Sequence, residues 1–203
     1  MKAVITGDIV NSRQSSPKET LEDLKSVLNT YGESPRDWEI YRGDSFQLII
    51  PEAKESLNVA INIKAVLKKK QERDGRMGIG IGGVSYWAQA VTESNGDAFV
   101  RSGNCFEKLQ SKKINLAVES PWPEFDEEMN LYFQLALMAM DNWTPASAEF
   151  MVAQLINEDQ SQEELAQKLG IGQSSVSDRK KRAHYDELLQ LRKRFKKRVE
   201  EYL

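Results

Sequence analysis

The sequence predicts an α+β chain, with a sheet over residues 1–120 and helices alone over residues 121–203. Three observations carry this. Apolar runs of period two alternate with runs of helical period as far as Val118, Pro121-Trp122-Pro123 then punctuates the chain, and beyond it only helical spacing remains. With 203 residues, 40% of them hydrophobic and 29% charged, the composition is that of a folded chain with a core, not of a disordered or fibrous one. Leu131 to Met140 is the longest apolar-rich stretch and falls far short of the ~20 residues that cross a bilayer. The first residues lack the basic, apolar and small-residue order of a secretory signal, so a cytoplasmic protein is expected. One cysteine, Cys105, and one histidine, His184, exclude an internal disulfide and a Cys/His zinc site within one chain.

Ala3-Val4-Ile5 reads as a short strand that stops at Gly7-Asp8. Pro17 opens a helix with Leu21, Leu24, Val27 and Leu28 on one face and Ser16 as its N-cap. Trp38 to Tyr41 and Phe46 to Ile50 form a hairpin turned by Gly43-Asp44. Leu57, Ala60, Ile61, Ile63 and Leu67 mark a second helix, with Gly75 ending that segment. Arg76 to Val84 alternates small and apolar residues as a strand with one bare face. Asp97 to Lys112 is a helix and Ile114 to Val118 a last strand. The order β-α-β-β-α-β, with one added α-β unit, is that of a ferredoxin-like, palm-type sheet domain. In the helical part, Met129, Phe133, Leu137 and Met140 share a face, Thr144-Pro145 starts the next helix, and Phe150, Val152, Leu155 and Ile156 carry it.

Charge is unevenly spread. Residues 1–159 hold 17 Lys and Arg against 24 Asp and Glu, whereas residues 160–203 hold 11 against 7, so the tail is basic and an anionic partner is expected there. Within that tail, Ala166 is the small residue where two helices cross, Gly170 the turn four residues later, and Val176 the apolar residue that packs back. Ser161 and Glu164 make a capping box ahead of them. Residues 161–183 resemble the helix-turn-helix of sigma-factor region-four-like and related bacterial regulators. The resemblance implies that Gln173, Ser174, Ser175, Ser177 and Arg179 face the DNA major groove while Lys180, Lys181 and Arg182 lie near phosphates. A helical hairpin for protein contact is the alternative. The last helix, Tyr185 to Leu203, packs on this motif, pairs with a second copy or adds backbone contacts, and the sequence does not separate these.

Asp8 after the first strand and Asp44 at the hairpin tip are adjacent in a palm-type sheet, where two carboxylates suit magnesium and a phosphate. This arrangement resembles class III nucleotide cyclases and diguanylate cyclases, whose two metal-binding aspartates match Asp8-Ile9 and Gly43-Asp44. It departs from them at Gly96-Asp97-Ala98-Phe99-Val100-Arg101-Ser102, which lacks their Asn and Arg pattern, and at Ser45, where the diguanylate signature has an acid. A degenerate site is therefore expected, binding a ligand or a metal without turnover. Turn residues bonded to local backbone amides are the plainer alternative for both aspartates.

Thr6-Gly7-Asp8-Ile9-Val10-Asn11-Ser12-Arg13, Tyr41-Arg42-Gly43-Asp44-Ser45-Phe46-Gln47 and Gly96-Asp97-Ala98-Phe99-Val100-Arg101 together resemble the SatD family of bacterial proteins. That resemblance covers nearly the whole chain and implies a regulator associated with stress responses more than a reaction. Arg13, Arg42 and Arg101 are candidates for an anion site with Asp8 and Asp44, surface ion pairing being the commoner role. The expectation is a bacterial DNA-binding protein, a transcriptional regulator that pairs as a homodimer to read two half-sites. The alternative is a magnesium-dependent nucleotide-binding or nucleotidyl-transfer enzyme using Asp8 and Asp44. Gly78, Gly80 and Gly83 spell G-x-G-x-x-G inside a strand, without the helix that a dinucleotide site needs. Asn142-Trp143-Thr144 is set aside as a sequon; Cys105 and His184 read as packing and surface residues; Met138, Met140 and Met151 read as core.

Overall fold

A computed structural model describes residues 1–10, 17–70 and 72–203; Arg13 and the Ser16 cap lie outside the described residues. Its elements are β1 (Lys2–Val10), α1 (Pro17–Leu28), β2 (Trp38–Tyr41), β3 (Ser45–Ile50), α2 (Ser56–Lys68), β4 (Asp74–Gly82), α3 (Asp97–Lys112), β5 (Leu116–Glu119), α4 (Pro123–Met140), α5 (Pro145–Ile156), α6 (Gln162–Leu169), α7 (Gln173–Arg182) and α8 (Tyr185–Tyr202). The chain is thus α+β, with five strands and eight helices among the described residues. The sheet order is β2-β3-β1-β4-β5; β1 runs antiparallel to β3 and β4, and β5 is parallel to β4.

The pleat sorts the strands into two faces. Ala3, Ile5 and Ile9 of β1 join Phe46, Leu48, Met77, Ile79 and Val118 in the main core, which continues through Leu24 and Leu28 of α1 and Leu57 and Ile61 of α2. The opposite face carries a second, smaller apolar cluster of Val4, Ile49, Val91, Ala98 and Phe99 beside small and polar residues. Gly78, Gly80 and Gly82 let α3 lie against β4, and a Cβ on Gly80 would stand 2.2 Å from the Ala98 carbonyl oxygen. Thr6 and Ser102 share a buried hydrogen bond of 2.9 Å across that contact.

Two glycine readings are corrected here. Gly7 and Asp8 lie inside β1, not after it, because Gly7 passes under Phe46: a Cβ there would meet the ring and the Arg76 carbonyl oxygen, both at 2.7 Å. Gly75 lies within β4, the preceding helix having ended at Lys68. At the β2–β3 hairpin, Arg42 and Gly43 take φ values of 51° and 92°, the left-handed turn that glycine favours.

The helical region continues the same core. Phe125, Met129, Phe133 and Met140 of α4, Phe150 of α5 and Phe195 of α8 belong to the cluster that holds the sheet's inner face. Asn130 of α4 closes the free edge of β5, its Oδ1 accepting from Val118 N at 2.8 Å and its Nδ2 donating to Val118 O at 2.9 Å. Lys64 of α2, fully buried, bridges Asp74 on β4 at 2.5 Å and Asp141 after α4 at 2.6 Å. Met138, expected in the core, is outside it, and Ile156 at the end of α5 is exposed as well. No helix among the described residues is long and apolar enough to cross a membrane.

Candidate nucleic-acid interface and the sheet carboxylates

Helix α6 starts at a complete capping box. Ser161 Oγ accepts from Glu164 N at 3.2 Å while Glu164 Oε2 accepts from Ser161 N at 2.7 Å, satisfying two amides that a helix start leaves open. It ends at Gly170, whose φ of 65° lets the chain turn and whose successor Ile171 donates back to the Ala166 carbonyl at 3.0 Å. Three residues then separate α6 from α7. Leu165, Ala166 and Val176 are buried between the two helices and α5, where Phe150 meets Tyr185 edge-on at 5.9 Å. Trp143 Nε1 donates to the Ala183 carbonyl at 3.0 Å and fixes the joint between α7 and α8.

This packing divides the expected contact residues. Gln173, Ser174, Ser175, Ser177, Lys181 and Arg182 are exposed. Arg179 turns inward to Glu149 of α5 at 2.6 Å, and Lys180 pairs with Asp186 at 2.8 Å above the Tyr185 ring. Those two cations act first as struts that hold α7 on α5 and α8. Asp178 faces solvent beside Ser177. No side chain caps Gly172, so the first turn of α7, among small hydroxyl residues, has no side-chain acceptor from its cap. The other basic helix, α8, spends its charge internally: Arg192 pairs with Glu158, Arg194 and Arg198 with Glu128, and Lys196 with Glu55.

Asp8 and Asp44 meet at one end of the sheet. Asp8 is paired in register with Ser45 on one side and Arg76 on the other, and Ile9 N donates to the Asp44 carbonyl at 3.3 Å. Burial pushes the Asp8 carboxyl above the usual carboxylate range, Arg76 partly offsets this, and the neighbouring Asp44 adds to the rise. Its Oδ1 is buried without a hydrogen bond, 3.7 Å from Arg76 Nε. Tyr41 is close enough for Asp8 to help raise its phenol too, although burial is the main cause.

The expected arginines do not assemble there. Arg101 donates to the Ile81 carbonyl at 2.9 Å and pairs with Asp97, five residues along β4 from Arg76 and so about 16 Å away at the strand rise. Arg42 is exposed at the hairpin tip. Sequence reasoning missed Arg76 and Gln110, the groups that face Asp8; the alternation from Arg76 to Gly78 puts Arg76 on the glycine face, but only the register sets it against Asp8. Among the described residues no three of His, Cys, Asp and Glu converge to hold a metal. Two carboxylates suffice for magnesium when a phosphate supplies further oxygens, and an orphaned Asp8 oxygen fits that use. The Cys105 thiol, pushed up to about 12 by burial, is no nucleophile.

These features all fall within residues 2–199, which match the model of the SatD family. No curated protein and no solved structure matches the chain.

Proposed function

The chain belongs to the SatD family, a membership that names no reaction, and from its geometry we propose that it is a DNA-binding regulator. The observation that carries this reading is the solvent face of α7. Exposed Gln173, Ser174 and Ser177 are followed by Lys181 and Arg182, on a helix held by Leu165, Ala166 and Val176. In this reading α5, α6 and α7 form a helix-turn-helix, with α7 in the major groove. The uncapped first turn of α7 suits a phosphate, Gln173 suits adenine, and the exposed Asp178 suits the amino group of cytosine. The strand order β2-β3-β1-β4 with two helical crossovers supports a ferredoxin-like, cyclase-like sheet behind it.

Binding to a random-sequence duplex, followed by fluorescence anisotropy at two salt concentrations, tests the proposal. Affinity is expected to fall with salt, and Lys181→Ala with Arg182→Ala to lower the salt slope by about 2. Arg179→Ala acts through Glu149 and is expected to lower stability more than the slope. No binding at low salt, or equal slopes for wild type and the double variant, overturns the reading.

A second reading rests on the orphaned Asp8 oxygen. Magnesium with a nucleoside triphosphate would use Asp8 and Asp44 for the metal and Arg76 for phosphate. It is expected to raise the melting temperature of wild type and not of Asp8→Asn with Asp44→Asn; equal shifts remove this reading while leaving the DNA proposal intact.

A further inference from the structure

The outer face of α4 is apolar and uncovered. Leu131, Leu135 and Met138 are spaced four and three residues apart on one stripe and are 55%, 58% and 71% exposed. Beside them runs a groove of about 700 Å³ between α4 and α8, floored by Ala136, Ala139, Leu188 and Leu191. Single exposed leucines are ordinary; three in register along a groove mark an interaction surface.

Charge along this surface identifies the occupant. Helix α8 lies antiparallel to α4, since His184 and Met138 line the same groove while Arg194 reaches Glu128. The amino-terminal end of the α4 stripe is acidic, with exposed Glu124 and Glu127, whereas Leu131 to Met140 carries no charge and ends beside His184. On α8 the charges lie the other way along the groove: Glu187 lines it with Met138, and Arg194, half-exposed beside its partner Glu128, lines its other end. Glu124, Glu127 and Glu187 make no ion pair among the described residues. The level of residue 133 lies midway between Leu131 and Leu135, and Glu187 and Arg194 stand toward opposite ends of the groove. A pattern that reverses about its own centre is complementary to itself under a twofold axis.

We propose that the chain forms a twofold dimer through α4 and the α4–α8 groove, with the axis crossing the exposed stripe between Leu131 and Leu135. Leu131 then packs on the partner's Leu135, Met138 enters the groove beside the partner's Arg194, Glu127 faces the partner's His184, and Glu187 faces the partner's Arg194. Two helices of 18 residues present a face about 27 Å long and two helix diameters wide. That is on the order of 500 Å² per copy and about 1,000 Å² in total, which reaches the area of a specific interface.

Sedimentation equilibrium of the full chain without DNA tests this. Wild type is expected to be dimeric at tens of micromolar, and Leu135→Glu, at an exposed position where the fold tolerates charge, to weaken the dimer about a hundredfold with an unchanged circular dichroism spectrum. Glu187→Lys is expected to weaken it about tenfold and addition of Arg194→Glu to restore it. A monomeric wild type, or a dimer untouched by Leu135→Glu, overturns the surface. A dimer lost with Leu135→Glu but indifferent to Glu187→Lys overturns the twofold register. Neither outcome depends on whether the chain binds DNA.

Discussion

Asp8 shows how a single side chain can work against the fold that holds it. Its carboxyl is raised first by burial and then by Asp44, and Arg76 at 3.7 Å compensates only in part. The folded state therefore keeps the Asp8 proton at pH values where the unfolded chain has released it. Stability then falls as pH rises from the ordinary carboxylate value of about 3.9 through the raised value, and stays lower above it. Replacing the carboxylate by a neutral amide removes that penalty. Asp8→Asn is expected to melt higher than wild type at pH 7, with the gain vanishing as pH falls to about 4; differential scanning calorimetry across that range measures it. A variant that melts lower at pH 7 would mean that Arg76 holds Asp8 as a needed anion. Asp126, also raised mainly by burial, adds a slope of the same sign to both proteins and leaves their difference intact.

At the scale of elements, periodicity was legible and coverage was not. Leu24, Val27 and Leu28 of α1, and Met129, Phe133, Leu137 and Met140 of α4, are buried as their spacing predicts. The Thr144 cap, the Ser161–Glu164 box and the Gly170 turn were also legible, because capping is settled within four residues. Gly7 and Gly75 were misread for a local reason. A glycine that ends a strand and one that admits a neighbour, as Gly7 admits Phe46, look alike until the neighbour is known. Met138 failed differently: α4 carries apolar residues on two faces, and the sequence does not say which face another element covers. The candidate sites divide in the same way. Charge and exposure of Lys181 and Arg182 follow from the helix; the capture of Arg179 by Glu149, 30 residues earlier, follows only from packing of α5 on α7. Arg76 belongs with Asp8, and Arg101 does not, because of sheet register, which no local pattern records.

The whole molecule is tied together across the break at Pro121-Trp122-Pro123. Helix α5 packs on α2, and aromatic side chains from α4 and α8 complete the core that the sheet begins. Trp122 itself stacks on Tyr202 at 4.9 Å, joining the break to the end of the chain. Lys64 adds an electrostatic tie, since without Asp141 its buried ammonium keeps Asp74 as its one carboxylate partner, and an under-compensated buried charge is costly. Lys54 and Lys196 tie α8 to the turn before α2 through Glu200 and Glu55, both at 2.9 Å. These ties predict one cooperative unit. The full chain is expected to unfold in a single calorimetric transition whose calorimetric and van't Hoff enthalpies agree. A chain ending at residue 120 is expected to show no cooperative transition, because it would expose the α2 surface that α5 covers and leave Lys64 without Asp141. Two separate transitions, or a truncated chain that melts cooperatively, would show that the sheet and the helices fold independently. A single unit has a consequence for α7: any ligand that stabilises the sheet end at Asp8 also stabilises the helices, because the two share one unfolding equilibrium.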